Sequence, residues 1–125
     1  MTLKTTLLGI AAGFFVLYGL GFVFFPEALG LLITGAVPTT SSGMIDMRAT
    51  YGGMSVALGL LFGLATRNPH TIDFGVWGIL ITMAGMAFGR LVGFVVDGSP
   101  NVFMYGYLAA EIVVIALTGW ALRSE

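Results

Sequence analysis

Four long apolar stretches, separated by short polar punctuation, organise this chain. The first, Thr5 to Phe25, carries no charged side chain, and at about 1.5 Å per helical residue it is long enough to cross a hydrocarbon core of about 30 Å. Pro26 stops it. Lys4 ahead of the run imitates the basic start of a signal peptide, but the apolar stretch is too long for one and no small-x-small cleavage site precedes Pro26, so it is read as a retained helix. Glu27 to Ile33 follows as a short amphipathic helical turn at the membrane interface, and Gly35, Pro38, Thr39, Thr40, Ser41, Ser42 and Gly43 predict a loop. Asp46 opens the next element. A second span over about 47–65 ends at Arg67-Asn68-Pro69, a third over about 72–96 ends at Asp97-Gly98-Ser99-Pro100, and a fourth over about 102–122 leads to Arg123. The expected fold is all-α: a four-transmembrane-helix bundle forming one domain, 1–125, with a short interfacial segment after the first helix.

Composition agrees with lipid as the solvent. Hydrophobic residues make up 58% of the chain and charged ones 9%, with a mean hydropathy of +1.01, so five basic and six acidic side chains cannot furnish a water-facing surface. A net charge of −1 offers no basic stripe, which excludes nucleic acid as a partner. With no Cys, thiolate chemistry and Cys-based metal sites are excluded. His70 has no second His to chelate with, and Asp73 reads as a helix N-terminal charge favoured by the macrodipole; no metal, cofactor or catalytic residue is expected.

The candidate chemistry lies in the charges that interrupt the apolar runs. Arg90 sits seven residues before Asp97, about 10 Å below the outer boundary, and Glu111 sits nine residues after Val102, close to the bilayer midplane. An ion at such depth costs about 2.5–3.5 kcal/mol on insertion scales, which makes each a site hypothesis in need of a partner. Arg48, Tyr51, Gly52 and Ser55 share one face of the second span, and Met104, Tyr107, Glu111 and Thr118 share one face of the fourth. If these stripes converge, Asp46, Arg48, Tyr51, Arg90, Asp97 and Glu111 form a ligand site open to the outer side. Small-residue spacings supply the packing device: Gly85, Gly89 and Gly93 form a ladder on the third span, and Gly52, Gly59 and Gly63 serve the second.

Three roles are compatible with these residues. The site binds a small anionic or lipid-like ligand, with Glu111 taking up a proton as an anion displaces it from Arg90. Alternatively, the ions only fix helix register, through Arg90–Glu111 and Asp97–Arg48 pairs, in an accessory subunit whose glycine faces dock on copies of itself or on a larger membrane protein. The third role, an enzyme acting on a lipid or quinone-like substrate with Asp97 or Glu111 as acid/base and Tyr51 as donor, is disfavoured by the missing nucleophile and metal set. Lys4, Arg67 and Arg123 fall at one end and Glu27, Asp46 and Asp97 at the other, so the positive-inside rule puts both termini in the cytoplasm; Arg48, at the outer end, then needs a local reason. Trp77 and Trp120 stand near the cytoplasmic ends of their spans, where interfacial indoles belong.

The string Asp46-Met47-Arg48-Ala49-Thr50-Tyr51-Gly52-Gly53, with Gly59, Gly89-Arg90, Asp97-Gly98-Ser99-Pro100 and Glu111, resembles a family of small four-helix membrane proteins of unknown function that is similar to the DoxD/DoxX-like membrane proteins. The resemblance covers nearly the whole chain. It implies a four-helix fold in a bacterial cytoplasmic membrane and supplies no activity and no site residues.

Overall fold

The computed structural model describes residues 1–124, and among them every regular element is helical. Helix α1 spans Leu3–Phe24 and is capped by Thr2, whose hydroxyl accepts from the Thr5 N–H. It ends at Phe25 because Pro26 has no N–H to continue the ladder and disfavours helical geometry in the residue before it. Pro26 then serves as first residue of α2, Pro26–Thr34, which closes on Gly35 in the left-handed region, φ 81°.

The next helix begins earlier than the sequence suggested. Thr40 acts as an N-cap, accepting from the Gly43 N–H at 3.1 Å, so α3 covers Ser41–Met47 and the expected loop shrinks from its C-terminal side. Thr40→Ala should therefore destabilise the protein by about 1 kcal/mol, measurable as a shift in a detergent unfolding curve. From α3 the backbone passes without a break through a π-helical turn, Arg48–Gly53, into α4, Met54–Ala65. After a tight connection capped by Asn68, α5 covers Pro69–Val96, and α6 covers Val102–Ser124 beyond a turn holding Gly98 at φ 90°.

Three of these helices, α1, α5 and α6, are long and apolar enough to cross a membrane. Residues such as Leu17, Phe74, Phe88 and Val95 are largely exposed, as side chains facing lipid would be. The rod from α3 through α4 is split by the π turn into segments each shorter than a bilayer crossing.

Rods α1 and α4 run antiparallel in the closest seam of the molecule. A Cβ on Gly19 would lie 2.6 Å from the Gly52 carbonyl oxygen, one on Gly59 would lie 2.8 Å from the Ala12 carbonyl oxygen, and Gly63 makes ordinary contact with Ala12. Leu8, Phe15, Phe62, Val76, Ile79 and Met83 form the core beneath this seam, and Phe22, Ile33 and Met47 form a smaller one near α2. Lys4 joins α1 to α5 through an ion pair with Asp73 at 3.0 Å. The α5 and α6 rods are antiparallel partners, and Asn101 holds the start of α6 against α2 by donating to the Ile33 carbonyl at 2.8 Å. Lys4, Arg67 and Arg123 accordingly share one end of the molecule.

The α5 glycines behave differently from the expected packing ladder. Gly85 and Gly89 have no atom within 4 Å of where a Cβ would stand, and Gly93 meets only the Asp97 carboxylate. Among the described residues these three pack against no other helix, unlike Gly75, which faces Ala65 and Leu8. The α1–α4 seam instead closes on Gly19, Gly52 and Gly59; the last two are among the packing glycines expected on the second span, and Gly19 is not.

Candidate functional site

Arg90 and Glu111 meet between α5 and α6. Glu111 is 3% exposed and receives the guanidinium side-on: Nη2 donates to Oε1 at 2.7 Å and Nε lies 3.1–3.2 Å from both oxygens. Nη1 donates to the Met104 sulfur at 3.1 Å, and Cζ stands 5.1 Å from the centre of the Tyr107 ring. Carboxylate, sulfur and aromatic face thus fix the guanidinium plane on several sides. The α6 stripe supplies all three partners from positions 104, 107 and 111, one helix face, where the sequence pattern had picked only Glu111 as a site residue.

A guanidinium has five N–H donors, and these contacts occupy three. One N–H on each Nη is left over. Arg90 borders a cleft of about 510 Å³ together with Tyr51, Gly89, Gly93, Asp97 and Met104. The bare glycine faces leave room in front of Arg90. Asp97 is exposed at the mouth and forms no ion pair among the described residues, whose pairs are Arg90–Glu111 and Lys4–Asp73.

The convergence expected of six residues is thus partial. Tyr51, Arg90 and Asp97 line one cleft, with Glu111 behind Arg90. Asp46 lies on an exposed face with only the Thr50 hydroxyl beside its carboxylate, at 3.4 Å. Arg48 points the other way and donates from Nη1 to the Val23 carbonyl at the C-terminal end of α1. The expected Asp97–Arg48 pair is not formed. A cation at a helix C-terminus satisfies a carbonyl left without an N–H partner and complements the dipole, which is the local reason Arg48 stands at that end. Among the described residues no group of three His, Asp or Glu side chains is arranged to hold a metal.

A family model for a domain of unknown function, DUF4345, matches residues 3–122, nearly the whole helical core. The chain belongs to the DUF4345 family. No curated protein and no solved structure matches it. The Arg90–Glu111 pair, the cleft before it and the α1–α4 seam all lie within the span that defines the DUF4345 domain.

Proposed function

We propose that this protein crosses a bacterial cytoplasmic membrane four times, with the α3–α4 rod as the fourth crossing and both termini cytoplasmic, and that the Arg90 cleft binds the polar head of a lipid-like molecule. The observation that carries the reading is a guanidinium immobilised by Glu111, Met104 and Tyr107 while two N–H groups are left over beside an open cleft. An amphiphile suits the cleft better than a small anion. Arg90 is already neutralised by Glu111, and Asp97 at the mouth repels negative charge, so binding must draw on burial of an apolar body against Met86, Phe94 and the bare faces of Gly89 and Gly93. A head carrying a carbonyl or phosphoryl oxygen would accept from Arg90, and one carrying a hydroxyl would donate to Asp97. If the head is anionic it competes with Glu111 for the guanidinium. Continuity of the 41–65 helix supports the fourth crossing, exposed Arg67 and Arg123 support the orientation, and the resemblance of the Asp46–Gly53 stretch to DoxD/DoxX-like proteins supports the bacterial membrane.

Mass spectrometry of lipids copurified in native discs tests the site. An amphiphile retained by the wild type should fall about tenfold in Gly89→Leu, which fills the cleft without touching a charge, and in Arg90→Leu, which removes the donors. The same lipid profile in all three proteins overturns the reading.

The open surface at Gly85 and Gly89 favours a second role, docking of α5 on a copy of the chain or on a larger membrane protein. Gly85 does not border the cleft. Gly85→Leu should release a copurifying protein partner while leaving the lipid profile intact. An enzymatic role gains no support, since Glu111 is held by Arg90 and Asp97 is left as the one carboxylate at the cleft.

A further inference from the structure

A second cavity, of about 560 Å³, lies where α1 ends and α2 begins, on the far side of the π turn from Arg90. Its apolar walls include Phe24, Phe25, Leu31 and Met44, and two opposite charges, Glu27 and Arg48, also line it. These two do not pair with each other: the described ion pairs lie elsewhere. Arg48 gives one N–H to the Val23 carbonyl and keeps four, and Glu27 is exposed in the first turn of α2. Phe24, Phe25, Leu31 and Leu32 are each more than half exposed around it, marking the rim as a lipid-facing boundary.

We propose that this cavity is a headgroup site for a zwitterionic phospholipid bearing a primary ammonium, with the phosphate on Arg48, the ammonium on Glu27 and the first acyl carbons against Phe25 and Leu31. Charge complementarity carries the assignment. A lone anion would leave Glu27 facing like charge, and a lone cation would leave Arg48 so, whereas a headgroup with both satisfies the two without requiring them to approach each other. An ammonium with three N–H donors answers a carboxylate better than a quaternary choline, which has none.

Native mass spectrometry of the full chain in detergent, titrated with phosphatidylethanolamine, phosphatidylcholine and phosphatidylglycerol of identical acyl chains, tests this. The wild type should retain phosphatidylethanolamine about fivefold over the other two, the preference expected of a partly exposed ion pair. Glu27→Gln should bring the three lipids within about twofold, and Glu27→Lys should turn the preference toward phosphatidylglycerol. Glu27 forms no side-chain hydrogen bond or ion pair among the described residues that these changes remove, so the result does not depend on Arg48 variants, which also uncap α1. Gly89→Leu should leave the preference unchanged. Equal retention of the three lipids by the wild type overturns the proposal, as does a preference that persists in Glu27→Gln or disappears in Gly89→Leu.

Discussion

Glu111→Ala should destabilise the protein by about 3–5 kcal/mol, while the double replacement Arg90→Met with Glu111→Leu should recover most of that loss. The carboxylate is 3% exposed and accepts from two nitrogens of Arg90. Truncating it leaves Arg90, only 16% exposed between α5 and α6, without its carboxylate partner, and the penalty is the incomplete solvation of that unpaired charge. Removing both ions removes the penalty together with the attraction. Reversible unfolding in mixed micelles, read as a double-mutant cycle, separates the two contributions. If the double variant is as unstable as the single one, the ions are contributing packing volume and their charges are incidental. The cycle also bears on ligand binding, because a cleft formed by a stably folded double variant retains its shape while losing its donors.

The largest effect is expected along the α1–α4 seam. Gly59→Leu should prevent accumulation of folded protein, and even Gly59→Ala or Gly19→Ala should cost about 3 kcal/mol or more. At both positions the incoming Cβ meets backbone atoms at 2.6–2.8 Å, so no rotamer change relieves the clash and the helices must separate along their length. Gly89→Ala supplies the internal comparison. It places the same methyl group on a helix face with nothing within 4 Å, and should be neutral or stabilise by up to about 1 kcal/mol through helix propensity. Thermal unfolding of the alanine variants measures the difference. Equal losses at Gly59 and Gly89 would mean that α5 packs in solution on something as close as α1 is to α4, which is the docking role described for Gly85.

The parts of this molecule legible in its sequence are those whose causes are local. Pro26, Asn68-Pro69 and Gly98-Ser99-Pro100 end or begin helices through the chemistry of one or two residues. The helix ends at Phe24, Ala65 and Val96 and the start at Val102 lie within a residue of the pattern, while α5 begins three residues earlier than expected because Pro69 serves as its first residue under the Asn68 cap. Arg90 and Glu111 were legible for another reason: ions in apolar runs are so costly that two of them imply each other. Thr40 was hidden by its neighbours, because Ser, Thr and Gly compose both loops and helix starts, and only the direction of one hydroxyl distinguishes them. Arg48 was drawn into the wrong cluster because its partner is the Val23 carbonyl, and a carbonyl is common to every residue and leaves no mark on a sequence. The α5 ladder shows the same limit from the other side. A GxxxG spacing states that a helix face is smooth, and whether that face meets a helix, a ligand or lipid is decided by the rest of the fold.

The π turn at Arg48–Gly53 acts as a phase shifter. Each residue advances an α-helix by about 100°, so a turn wound one residue wider re-clocks everything before it against everything after it. Late in the turn and beyond it, Gly52, Ser55 and Gly59 keep a buried azimuth, Gly52 and Gly59 directly against α1; at the start of the turn, Arg48 reaches the end of that same helix. Tyr51, inside the turn, borders the Arg90 cleft while Arg48, three residues earlier, borders the other cavity. A register change of one residue would therefore alter both cavities at once, because each is bordered by a residue of this turn.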